Sequence, residues 1–230
     1  MLAMDLKPNR IEALKRVASQ FIRDRVSDRI GIVVYSGESY TKVPATTDKN
    51  IVLQSLSEIK HGEIEDGTAI GMGLGTAINR LKDSKTKSKV IILMTDGVNN
   101  TGVIDPLSAS ELAKQYGIRV YTIGIGTNGK ALSPIAYNPD GSWQYGMVPV
   151  EIDEKLLTQI AQTTGGHYFR ATDNRKLVQI YTEIDKLEKS KIEELKYYQY
   201  QEKFRLWAFL ALVCIVGEFA LRHTIFRGFV

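Results

Sequence analysis

Three short runs constrain what this chain can fold into more than anything else: residues 29–35 (RIGIVVY), 89–95 (KVIILMT) and 119–125 (RVYTIGI). Each is a near-continuous stretch of apolar, largely β-branched residues bounded by polar or glycine-containing turns. A strand with one wet face alternates apolar and polar residues. A strand that does not alternate is covered on both faces, as the strands of parallel sheets are.

Between these runs the apolar period changes from two to about 3.6. Ile11, Leu14, Val17, Ala18, Phe21 and Ile22 form one helical stripe. Further helices are expected over 48–59, 69–81, 106–116 and 151–164, and from 173 or 174 to 194, with a short strand at 167–170. Residues 40–45 alternate roughly and carry Pro44, which suits an edge strand. Helix 69–81 contains Gly71, Gly73 and Gly75. Each costs on the order of 1 kcal/mol relative to Ala, so the helix is expected to lie very close to a neighbouring sheet. The alternation predicts an α/β fold with a doubly wound, mostly parallel sheet. Residues 130–150 interrupt it with Pro134, Asn138-Pro139-Asp140-Gly141 and Pro149, and read as an inserted hairpin.

Composition adds exclusions. A chain of 230 residues, 43% hydrophobic and 24% charged, is neither disordered nor fibrous. The net charge of +4 is mild and mixed in sign, so no nucleic-acid partner is expected. The lone Cys214 excludes an internal disulfide and a Cys-x-x-Cys zinc pattern, and in its apolar run it reads as a small hydrophobe. No basic-then-apolar signal peptide opens the chain. Residues 206–221 (LWAFLALVCIVGEFAL) are almost wholly apolar, but at 16 residues the run is on the short side of the roughly 17–25 that span a bilayer, and Glu218 is a misfit that needs the interface or a partner helix. Tyr197, Tyr198, Tyr200 and Trp207 resemble an interfacial belt, and Lys203, Arg205, Arg222 and Arg227 flank the run. A transmembrane helix is expected over 206–221, after a linker at 188–205 and before a short tail at 222–230. The alternative is a buried helix or an oligomer interface.

Ligands of open α/β sheets bind beyond the carboxyl ends of the strands. Two polar signals fall there: Thr68, in Asp66-Gly67-Thr68 ahead of a helix, and Asp96, directly after a buried strand. A hydroxyl and a carboxylate meeting at that edge suit a hard cation such as Mg²⁺. Each also has a plain structural reading, Thr68 as a helix N-cap and Asp96 as a turn residue before Gly97. Gly124-x-Gly126-x-x-Gly129 matches a dinucleotide fingerprint, but no helix is expected to follow it. His61, His167 and His223 stand isolated, with no nucleophile nearby.

The strings RIEALK (10–15), DRIGIVVY (28–35), GTAIG (67–71) and VIILMTDG (90–97) resemble the von Willebrand factor A family over about residues 1–187. With Pro8-Asn9-Arg10, the inserted loop and the apolar C-terminal run, the chain looks most similar to its membrane-anchored, BatA-like aerotolerance members. The resemblance implies a metal-ion-dependent adhesion site built from a D-x-S-x-S motif, a threonine and an aspartate. Thr68 and Asp96 match the last two, and the D-x-S-x-S has no counterpart. It would lie on the family's first, central strand, just ahead of residues 1–5, so the sheet is expected to lack that strand and Met1 reads as an internal methionine. A divalent cation, Mg²⁺ or another, is then expected to bind weakly or not at all.

The resemblance further implies a non-enzymatic module for protein–protein interaction, held by a single pass in a bacterial inner membrane. Its implied partners are other A-domain membrane proteins and a MoxR-type ATPase. Two other functions compete. A Mg²⁺-dependent hydrolase would need a second carboxylate or a nucleophile on an adjacent strand end, and none is found. A metal-free membrane scaffold would rest on helix 174–194 and the apolar run.

Overall fold

The computed structural model of the chain describes residues 1–127, 129–138, 143–196 and 204–224, with the side chains of 137, 190–196, 204–206 and 219–224 excepted. It divides into two compact units, Met1–Glu188 and Lys189–Val230.

In the first unit, β3 (Val90–Thr95), β4 (Arg119–Ile125) and β7 (Tyr168–Ala171) form a parallel sheet in the order β3-β4-β7. β4 is central, and residues 120–125 are all buried, as a strand without alternation demands. On β3 only Ile91, Leu93 and Thr95 are fully buried.

The first apolar run departs from expectation. β1 (Ile30–Tyr35) pairs antiparallel with β2 (Ser39–Thr46) in a separate sheet and is at most half-buried. Among the described residues no backbone bond joins β1 to β3. The link between them is a side chain: the Tyr35 hydroxyl donates to the Met94 carbonyl at 2.7 Å. Pro44 lies on β2 where the register slips, between the pairs Ile30↔Thr46 and Ile32↔Val43. A residue without an N–H is tolerated at such an irregularity.

Helices cover both faces of the parallel sheet. α3 (Ile70–Leu81), α4 (Pro106–Gln115) and α5 (Glu154–Thr163) pack Ile70, Leu74, Ile78, Ala109, Ala113, Leu157 and Ile160 against Ile91, Leu93 and Val120. On the other face, α1 (Arg10–Asp24) and α6 (Asn174–Lys196) bring Ala13, Val17, Ile22, Leu177, Ile180 and Ile184 onto Tyr121, Ile123 and Ile125. Val52 and Leu56 of α2 (Lys49–Glu58) join that second cluster. Five helices start from a side chain immediately ahead of them. Asn9, Asp48, Asp105, Asp153 and Asp173 each accept first-turn amides, satisfying donors that have no partner within a helix. The Asp153 cap explains why α5 starts at Glu154 rather than at the expected 151. The chain is still in a strand up to Val150.

The interruption at 130–150 is an antiparallel hairpin of β5 (Gly129–Tyr137) and β6 (Trp143–Val150), tied to the N-terminal segment by the Met4 N–H on the Leu132 carbonyl at 2.9 Å. Gly129 therefore opens a strand. The glycine pattern 124–129 has no helix N-terminus to hold a pyrophosphate.

At the end of the sheet away from the β3 carboxyl terminus, the buried Glu188 carboxylate accepts from Arg119, from the Tyr121 hydroxyl (2.6 Å) and from Ser88 Oγ (3.0 Å). Burial works to raise its pKa, but these donors hold it below the ordinary glutamate value. Burial and the Glu188 bond push the Tyr121 phenol up to about 12.

The second unit contains α7 (Phe204–Thr224). Among the described residues no helix is long and apolar enough to cross a membrane. Of the run expected to do so, 206–221, the side chains of 207–218 are described. These are exposed, Gly217 only partly so, and include Trp207, Phe209, Leu212, Ile215 and Val216. Cys214 is exposed among them. Most of the expected linker and tail lies outside the described residues.

Candidate functional site

The two residues singled out from the sequence come together at the carboxyl end of β3. A methyl group placed on Gly97 would lie 3.3 Å from the Thr68 hydroxyl, so that hydroxyl sits against the residue following Asp96. Both line a cleft of about 500 Å³, with Asp66, His61, Asn100 and Trp143 among its other walls. The hairpin forms one rim.

The N-cap reading of Thr68 does not hold. Thr68 is not the N-cap of α3. That position falls on Ala69, which makes no side-chain cap bond. The first amides are met from another loop: Asn99 Oδ1 accepts from Ile70 N at 2.8 Å, and Asn100 Oδ1 from Thr68 N at 2.8 Å. Asn100 N returns a bond to the Thr68 carbonyl at 3.1 Å. The Thr68 hydroxyl has no hydrogen-bond partner among the described residues. At Asp96 the local turn is closed instead by Thr95 Oγ1, which accepts from Gly97 N at 3.3 Å.

The Asp96 carboxylate faces cations of the protein itself. Arg10 Nη1 donates to its Oδ2 at 3.1 Å, and the Met1 amine donates to the same oxygen. Arg10 is only 3% exposed. Its other donors grip Asp5 bidentately, Nε to Oδ1 at 2.8 Å and Nη2 to Oδ2 at 2.6 Å, the planar fork geometry that favours arginine over lysine. Asp5 also accepts from Thr127 N (2.9 Å) and Leu6 N (3.1 Å). Burial tends to raise the Asp5 pKa, but Arg10 and the two amides more than offset it and hold it at about 2. Burial likewise opposes the charge of Arg10, yet Asp5 and Asp96 keep its pKa above the ordinary arginine value.

Gly126 makes room for this cluster. Its φ is +128°, and a Cβ there would fall 2.3 Å from Arg10 Nη2. Sequence reasoning missed Asp5 and Arg10 as site residues. The visible signal was the Pro8-Asn9-Arg10 helix entry, which says nothing of a partner at Asp96 or Thr127.

A hard divalent cation of the Mg²⁺ kind takes about six oxygens in near-octahedral geometry. Thr68 and Asp96 offer too few, and a guanidinium already lies on the carboxylate. Among the described residues no group of three or more His, Cys, Asp or Glu could hold a metal ion. The residues present do not fit such an ion.

Three comparisons with known proteins bear on this geometry. The family model described as von Willebrand factor type A domain matches residues 5–183. An uncharacterised protein of Borreliella burgdorferi is 30% identical over 166 residues, covering 72% of this chain and 48% of that protein. Among solved structures, the conserved hypothetical protein BatB from Bacteroides thetaiotaomicron is 28% identical with a TM-score of 0.69, covering 82% of this chain and 93% of that one. An aerotolerance-related membrane protein from Bacteroides fragilis is 26% identical with a TM-score of 0.68, covering 81% and 91%. The chain spans about half the length of the curated relatives it matches.

Proposed function

The chain belongs to the von Willebrand factor type A family, matched over residues 5–183, and from that premise we propose that it is a membrane-anchored module that binds other proteins through the cleft at the carboxyl end of β3. Domains of this family commonly mediate protein–protein interactions. The observation that carries the reading is the composition of the cleft and its rim. Asp66, Thr68, Asp96 and the exposed His61 all line the cleft. On the hairpin, Trp143, Tyr145 and Met147 stand exposed at alternate positions of β6, and Leu132, opposite Met147, is exposed too. A polar centre beside aromatic and methionine side chains has the make-up of a contact surface. The proposed role is binding rather than catalysis.

Membrane anchoring is supported by α7. Its described side chains are apolar apart from Glu218, and the large ones are exposed, Trp207 at 71%, Phe209 at 65% and Ile215 at 64%. A helix apolar all round belongs in a core or a bilayer. The similarity to an aerotolerance-related membrane protein and to BatB agrees with this. By the same resemblance, the proposed partners are further A-domain membrane proteins and a MoxR-type ATPase, at a bacterial inner membrane.

The full chain expressed in bacterial cells tests both halves of the proposal. It should stay in the membrane pellet after alkaline carbonate washing. Affinity capture from detergent extract should retain partners that are lost with Trp143→Ala/Met147→Ala. Release by carbonate would remove the anchor, and undiminished capture by the hairpin variant would remove the surface.

A further inference from the structure

We propose that Arg10 is the standing side-chain cation of the Asp96 carboxylate, which also accepts from the Met1 amine, so that the cleft edge is held together without a divalent ion. Three observations point the same way. Arg10 Nη1 lies 3.1 Å from Asp96 Oδ2, and the same nitrogen lies 3.5 Å from the Asp96 carbonyl. The guanidinium cannot easily swing aside: it is almost fully buried and its remaining donors are fixed on Asp5. The fold also reserves space for it, since any side chain at residue 126 would collide with Nη2. A side chain present only to cap or to solubilise the start of α1 needs none of these.

The arrangement sets the order of events at the carboxylate. A divalent ion approaching Asp96 meets a fixed positive charge within hydrogen-bonding distance of the oxygen it would take. It must either displace that charge, leaving a buried guanidinium short of an acceptor, or bind beside it against Coulomb repulsion. Asp96 is accordingly a structural acceptor that ties the start of α1 to the end of β3. Through Asp5 and Thr127 the tie extends to the segment after β4. Divalent ions bind there weakly at best, and the side chain a partner meets at Asp96 is already neutralised. The tie holds the edge in place whether or not the cleft is the partner surface.

The test is one of sign. In an empty metal site the carboxylate gains nothing from its charge, and its amide analogue is as stable or more so in chelator. As the acceptor of Arg10, the carboxylate stabilises the fold with no metal present. Purified full chain in detergent micelles with EDTA should lose about 5 °C or more in Tm on Asp96→Asn. That variant keeps the Asp5–Arg10 pair and is expected to fold. Arg10→Lys, which keeps a charge beside Asp5 but loses the fork on it, should combine with Asp96→Asn to give a Tm loss smaller than the sum of the two, because the Arg10–Asp96 bond is removed in both. Mn²⁺, followed by its paramagnetic resonance signal, should bind wild type and Asp96→Asn within a factor of about three of each other, on the order of the uncertainty of such comparisons. An unchanged or raised Tm for Asp96→Asn in EDTA, additivity of the two variants, or tenfold tighter Mn²⁺ binding to wild type would each overturn the assignment.

Discussion

Asp5→Ala is expected to destabilise the first unit by about 3–5 kcal/mol, the cost of stranding one member of a buried ion pair. Arg10 would keep Asp96 but lose both bonds of its fork. The amides of Leu6 and Thr127 would lose their acceptor as well. Urea unfolding of the full chain in micelles reads the effect as a fall in midpoint at constant slope. Acid should reproduce part of it in the unaltered chain. The folded pKa of Asp5 is depressed, from 3.8 to about 2, so its contribution is complete above the unfolded value and disappears as pH falls through the folded one. Stability from Asp5 should therefore drop by about 2 kcal/mol between about pH 5 and pH 1.5. An Asp5→Asn chain, less stable at neutral pH, should lack that part of the acid slope. A pH profile identical in the two chains would show that the pair contributes no net stability.

Gly71→Ala is expected to cost about 3 kcal/mol or more, at or beyond the upper end for an overpacked site. A Cβ on Gly71 would sit 1.9 Å from the carbonyl oxygen of Ile104 and 2.8 Å from its carbon. Both are backbone, so relief requires moving either α3 or the loop that leads into α4. Gly75, about one turn further along the same helix, supplies the control. At Gly75 the nearest atom is the end of the Ile104 side chain at 3.2 Å, which can rotate away, and Ala has the better helix propensity. Gly75→Ala should be near neutral or stabilising. Calorimetry or urea unfolding of both variants compares them directly, and equal effects would contradict the packing described.

These two sites also show what could be read in advance. The glycines of α3 pointed to a close approach, expected against a neighbouring sheet. That the neighbours are the Ile104 carbonyl at Gly71 and the Tyr35 ring at Gly73, rather than the parallel sheet, required the fold. The run at 119–125 became the central parallel strand because its lack of alternation reflects burial on two faces, a local signal of a tertiary fact, and the run at 89–95 pairs with it although only alternate residues there are fully buried. The equally apolar run at 29–35 gave no hint that its only backbone partner among the described residues would be the antiparallel β2. Composition reports how apolar a strand's surroundings are, not which edge is bonded.

At the cleft, Thr68 and Asp96 were legible because each follows a recognisable local pattern, a turn before a helix and the end of a buried strand. Their closest partners were not. Asn99 and Asn100 cap α3 from some thirty residues further along the chain. Arg10 reaches Asp96 across a separation of 86 residues. Asp5 reaches Thr127 across 122. Ion pairs and caps made over such distances leave no periodicity. A reading confined to spacing could suggest a cation at Asp96 but not that the protein supplies its own.

The measurement that bears most directly on the cleft as the contact surface is site-specific photo-cross-linking of the full chain in living cells. A photoreactive residue at Val98 or Trp143 lies in the cleft wall. One at Lys87 lies just before β3, at the far end of the same strand. Adducts of defined mass from positions 98 and 143, with none from 87, are the predicted result. Adducts from 87 alone would contradict the account and move the contact surface to the opposite end of the sheet.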